Sequence, residues 1–135
     1  MLDWPAALRA QLVAAGLAGG RVYWGLRPQG SALPALVLST VSGAIGRMVD
    51  GEGDLRRSTV QADAYATTHR EAWLLAEAAL EAVAAPFVRD GVRFASAGHG
   101  APRTLPSTAS QGAADSAADG AAIFRASADL NFLYT

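Results

Sequence analysis

Ala122-Ile-Phe-Arg-Ala-Ser-Ala-Asp-Leu-Asn-Phe-Leu-Tyr134 repeats with a period of two. Ala122, Phe124, Ala126, Ala128, Leu130, Phe132 and Tyr134 fall on one side. Arg125, Ser127, Asp129 and Asn131 fall on the other, with Ile123 and Leu133 as apolar exceptions. Only an extended strand sends successive side chains to opposite faces. The segment therefore predicts a long strand with one dry face and one mainly polar face. So much apolar area on one side makes it a core strand.

Upstream, residues 56–65 carry the same alternation. Val60, Ala62 and Ala64 oppose Thr59, Gln61, Asp63 and Tyr65. Thr68-His-Arg-Glu71 follows with the spacing of a capping box, in which hydroxyl and carboxylate each satisfy an orphan amide. It predicts a helix that runs to about Ala85, is stopped by Pro86, and buries Trp73, Ala76, Leu80 and Val83. Arg70, Glu77 and Glu81 form its wet face, with Leu74 among them. A first helix is expected from Asp3 as its cap, with Pro5 tolerated in the first turn. Trp4, Leu8, Leu12 and Ala15 recur along it at helical spacing, and Gly16, Gly19 and Gly20 end it. Short strands are expected over residues 21–24, 33–41 and 92–97, with a turn at 27–31. Residues 42–54 read as a mobile loop or the tip of a long hairpin. Residues 98–120 are poor in large apolar side chains and read as a second mobile loop. The order helix, three strands, helix, strands predicts an α+β domain. Its sheet is mostly antiparallel, with two α-helices on one face and long mobile loops.

The 135 residues fit one domain, taken as residues 1–135, large enough to bury a core without staples. Hydrophobic residues make up 51% and charged ones 17%, which favours a globular chain and leaves apolar surface for a partner to cover. A net charge of −1 gives no electrostatic footprint for nucleic acid or an anionic membrane. All 11 basic residues are Arg. With no Cys, disulfides, thiolate metal sites and Cys nucleophiles are excluded. The first residues lack the basic-then-apolar pattern of a secretory signal, and no segment reaches the length of a membrane span. A soluble protein made in the cytoplasm is expected.

Few residues suggest chemistry. His69 opens the second helix and His99 sits in Gly-His-Gly, and neither has a partner at metal-ligand spacing. No Gly-rich segment has the form of a phosphate loop, and no Ser lies in a nucleophile elbow. Asp63 and Asp129 both project from the polar faces of the best strands. On neighbouring strands they would be raw material for acid–base work. They also fit an ordinary wet sheet face beside Thr59, Gln61, Ser127 and Asn131. No catalytic, cofactor or metal site is expected.

Three segments in order resemble a known family. The first is Arg21-Val-Tyr-Trp24 with Pro28-Gln-Gly-Ser-Ala-Leu-Pro-Ala-Leu-Val-Leu-Ser-Thr-Val-Ser-Gly43. The second is Leu55-Arg-Arg-Ser-Thr-Val-Gln-Ala-Asp-Ala-Tyr65 with the capped helix. The third is Phe124-Arg-Ala-Ser-Ala-Asp-Leu-Asn-Phe-Leu-Tyr134. Together they resemble the tail-completion, or tail-terminator, proteins of long-tailed phages and phage-derived gene-transfer particles. A strand after Leu-Pro, a strand of the form Val-Gln-x-Asp-x-Tyr, a helix and a closing strand ending in an aromatic are the shared pattern. The long 98–120 segment departs from it.

The resemblance implies a structural protein without catalytic residues. It implies a homo-oligomeric ring, typically a hexamer, on the head-proximal end of the tail tube. Its partners would be the major tail tube protein and a head-completion or connector protein, with DNA passing through unbound and no membrane contact. It would reside in the virion or particle after assembly in the bacterial cytoplasm. Candidate contact residues are Met48, Val49, Arg56, Arg57, Leu74 and Leu105, and Asp63 and Asp129 are candidates to face the lumen. Two alternatives stay open: another head–tail connector or neck protein, and a small hydrolase or ligand-binding domain built on Asp63 and Asp129.

Overall fold

The computed structural model describes residues 3–28, 30–48, 51–99, 101–105 and 123–135, without the side chains of residues 42–48, 51–55, 96–99 and 105. In chain order they form α1 (Trp4–Ala14), β1 (Val22–Trp24), β2 (Ala35–Met48), β3 (Gly51–Ala66), α2 (His69–Ala82), β4 (Phe87–Arg89), β5 (Val92–His99), β6 (Arg103–Leu105) and β7 (Phe124–Tyr134). The sheet has the order β1-β2-β3-β7-β5-β4, with β6 also on β7. Only β1–β2 is parallel among the described pairings. The α+β architecture with a mostly antiparallel sheet is the one expected.

Both predicted N-caps form. The Asp3 carboxylate accepts from the Ala6 amide at 3.2 Å, and the Thr68 hydroxyl accepts from the Glu71 amide at 3.1 Å. The stripe that α2 buries differs from the expected one. It consists of Ala72, Leu75, Ala76, Ala79 and Leu80, with Val83 just past the helix end. That set follows the i, i+3, i+4, i+7 rule, and Trp73 lies one residue off it. Its indole N–H donates to Glu77 at 2.6 Å and its ring stacks on His69, so Trp73 flanks the core and does not enter it. The helix ends at Ala82, three residues before the predicted stop.

The core lies between the helices and one face of the sheet. Register places Val60 opposite Leu130, Ala62 opposite Ala128 and Ala64 opposite Ala126, all with no exposed surface. The buried alanines of α2 belong to the same cluster, so helix and sheet meet largely methyl to methyl. At the other end, Trp4 packs edge-on against Trp24 and Phe132, and Phe94 packs against Phe87, Phe132 and Tyr134.

Helix α1 fastens both borders of the sheet. The Arg9 guanidinium donates to the Val22 carbonyl at 2.8 Å, and the Trp24 indole donates to the Pro5 carbonyl at 3.0 Å. Gln11 donates to the Ala82 carbonyl at 3.1 Å and accepts from Arg89 of β4 at 2.8 Å.

Strands β2 and β3 form a hairpin far longer than the two predicted strands. The ladder continues to Met48 opposite Gly51, so the hairpin alternative for residues 42–54 is the observed one. Register shifts after Thr40 and after Ile45 mark bulges, which bend a strand and tighten its twist. Strands β4 and β6 were not anticipated. At three residues each they are too short for alternation to register. Strand β5 runs to His99, and β6 follows it along the same border of β7, so part of the predicted 98–120 loop is strand. Residues 100 and 106–120 of that loop lie outside the described residues.

Candidate interaction surface

The sheet face turned away from the helices carries Thr59, Gln61, Asp63 and Tyr65 from β3 and Arg125, Ser127, Asp129 and Asn131 from β7. The two strands are neighbours in antiparallel register. Thr59 faces Asn131, and its hydroxyl donates to the Asn131 side-chain oxygen at 2.7 Å. Asp63 faces Ser127 while Asp129 faces Gln61, so the two carboxylates are diagonal to each other.

Each carboxylate has its own arginine. Arg125 Nη2 lies 2.9 Å from Asp63 Oδ2, and the Gln61 amide also donates to Asp63 at 3.0 Å. Arg103 of β6 grips Asp129 with both terminal nitrogens, at 3.1 and 3.4 Å. The environments differ. Asp63 is 5% exposed, whereas the Arg103 and Asp129 side chains keep nearly half of their surface in water.

The mainly polar face is not wet throughout. Val37, Tyr65 and Ile123 form a second small apolar cluster on this side, with Leu33 against it. The turn after β1 folds over that cluster. The Arg27 guanidinium lies 5.7 Å from the centre of the Tyr65 ring and donates to the Ser31 hydroxyl at 3.2 Å. The Arg125 guanidinium lies over the same ring at 5.8 Å. Asp63 is thereby sealed beneath its own chain and does not present its carboxylate to open water. Asp129 does. The Ser127 hydroxyl beside Asp63 is fully buried and has no hydrogen-bond partner among the described residues.

The remaining candidates are scattered. Arg56 and Arg57 are exposed at the root of the β2–β3 hairpin, opposite Tyr134 and Leu133. Leu74 is half exposed on α2. Met48 closes the described hairpin ladder opposite Gly51, and Leu105 pairs with Arg125, but their side chains lie outside the described residues. Val49 lies outside them altogether, and so does the His99 side chain. His69 is a hydrogen-bond partner of the Thr104 hydroxyl at 2.9 Å, tying the start of α2 to β6.

Sequence reasoning missed Arg27 and Arg103 as parts of this face, and placed Tyr65 on it. Nothing in the alternation of one strand signals which distant turn will cover it. Among the described residues no three His, Cys, Asp or Glu side chains gather as metal ligands. No helix among them is long and apolar enough to cross a membrane.

No curated protein matches the chain. The sequence pattern defining the family described as Tail completion protein gp17 matches residues 5–108, well over half of the length, from the first turn of α1 to just past β6. The chain therefore belongs to the Tail completion protein gp17 family, a phage tail assembly family, and is a structural component of a phage tail.

Proposed function

We propose that this protein, as a single domain, closes into a homo-oligomeric ring, of six copies, at the head-proximal end of a phage-like tail tube. There it stops tube polymerisation and joins the tail to the connector of the head, acting without catalysis. The observation that carries this reading is the family match, which takes in both helices and every strand except β7. The polar sheet face supports it. Its carboxylates are each engaged by an arginine from a neighbouring strand, an arrangement that holds a sheet together. The net charge of −1 suits a ring through which DNA slides without being held, with Asp129 among the residues facing the passage. Leu74, Arg56 and Arg57 are exposed positions available to the tube, the connector or a neighbouring copy. The same role fits a phage, a prophage or a gene-transfer particle.

The test is electron microscopy of particles made without the protein. Tails of uncontrolled length, or finished tails detached from heads, are expected. Tails of normal length joined to heads would overturn the proposal.

A further inference from the structure

Most arginines with described side chains are engaged within their own chain. Arg9 and Arg21 donate to main-chain carbonyls, Arg89 to Gln11, and Arg103 and Arg125 hold the carboxylates of the polar sheet face. Two arginines on that face are not. Arg57 follows the alternation of Thr59, Gln61 and Asp63, and Arg93 points away from the core that its neighbour Phe94 enters. Both are exposed, and neither has an ion pair among the described residues. Arg57 stands among uncharged positions. Its partners across the sheet are Ala44 and Leu133, with Ala95 beyond Leu133, and the next row is Ser42, Thr59 and Asn131. Opposite Arg93 in register, Val88 is 63% exposed. Asp90, in the turn from β4 to β5, is the described carboxylate closest to Arg93 in sequence, one negative charge against two positive.

Helix α2, on the other face of the sheet, carries the converse pattern. Ala72, Leu75, Ala76, Ala79 and Leu80 face the core, so Leu74, Glu77 and Glu81 share the side turned to solvent. Leu74 is 49% exposed, and steps of three and four residues set the two carboxylates in line beside it. Both glutamates are exposed and without an ion pair among the described residues. Glu77 accepts a hydrogen bond from the neutral Trp73 indole, which leaves its charge in place. Arg70 and Glu71 cancel in the first turn, so two negative charges remain on the helix. They lie in its later turns, toward the negative end of the helix dipole.

We infer that α2 of one copy docks on the polar sheet face of the next, with Leu74 set against Leu133 and Val88, and Glu77 and Glu81 facing Arg57 and Arg93. The inference rests on the ring proposed above and names the contact that builds it. The two patches lie on opposite faces of the sheet, so each copy offers one patch to each neighbour. Such a contact is heterologous, the type that generates rings. An apolar centre with charges at its rim has the composition of an interface, and opposite charges fix its register. Asp129 lies four residues along β7 from Leu133, about 13 Å away, so the rest of the polar face stays clear of the contact.

The absence of native lysine makes the test clean. Arg57→Lys and Arg93→Lys, made singly, keep the charge and add one side-chain amine. Particles are assembled from a mixture of isotope-labelled and unlabelled copies of either variant. They are then treated with a carbodiimide, which joins an amine to a carboxylate only where the two touch. Mass spectrometry is expected to find amide bonds from position 57 or 93 to Glu77 or Glu81, with labelled peptides joined to unlabelled ones. A second arm reverses charges and checks each variant by circular dichroism. Arg57→Glu with Arg93→Glu is expected to remove the ring from the tube end, as is Glu77→Arg with Glu81→Arg, and all four changes in one chain to restore it. Rings seen by electron microscopy without such bonds between copies, a folded one-sided reversal that still forms rings, or a folded four-change variant that forms none overturn the inference and leave the ring reading standing. Wild-type tube ends bearing no ring overturn both.

Discussion

Arg125 reaches diagonally from β7 to Asp63 on β3, with 2.9 Å between Nη2 and Oδ2 and both side chains largely buried. Removing one partner of such a pair strands the other charge, which costs about 3 kcal/mol or more. Arg125→Met is expected to lower the unfolding free energy measured by urea titration by that amount. Adding Asp63→Leu to it should recover much of the loss, since no buried charge then remains. Two single losses that simply add in the double variant would show that the pair is not coupled.

Asp129 makes the opposite case. Its contact with Arg103 is bidentate but sits in water, where exposed pairs contribute about 1 kcal/mol or less. Asp129→Asn should lower the same free energy by no more than that, and 1 M salt should shrink the difference further. An effect as large as that of Arg125→Met would mean that Asp129 is shielded in the folded protein.

The methyl-to-methyl seam beneath α2 leaves no room for added side-chain volume. Ala128 has no exposed surface and lies opposite Ala62, also fully buried. Ala128→Leu is expected to destabilise by about 1–3 kcal/mol through overpacking, despite raising the apolar content. Thermal unfolding followed by circular dichroism measures it. A rise in Tm would point to a cavity above Ala128.

The parts legible in the sequence were those whose signal is local. Alternation in residues 124–134 and 56–65 located β7 and β3, and cap chemistry at Asp3 and Thr68 located the starts of α1 and α2. Trp73 was misplaced because its size outweighed its position. The alanines at 72, 76 and 79 hold the better helical spacing, but a small side chain gives a faint signal. The state of Asp63 depends on Arg125, Tyr65 and Arg27, which come from three separate places in the chain. Its burial is a property of the fold, and no pattern within β3 announces it. Strands β4 and β6 exist because β5 and β7 offer them borders, which three residues of sequence cannot reveal.

The β2–β3 hairpin leaves the sheet beyond Tyr134, whereas β7 enters it at the other end beside Ala66. A pull on the hairpin and an opposite pull on the start of β7 would therefore slide β3 along β7. Their ladder from Arg56–Tyr134 to Ala66–Phe124 lies across that force. Its bonds would share the load together and would not open one after another. The β3–β7 ladder therefore resists that pull as a unit.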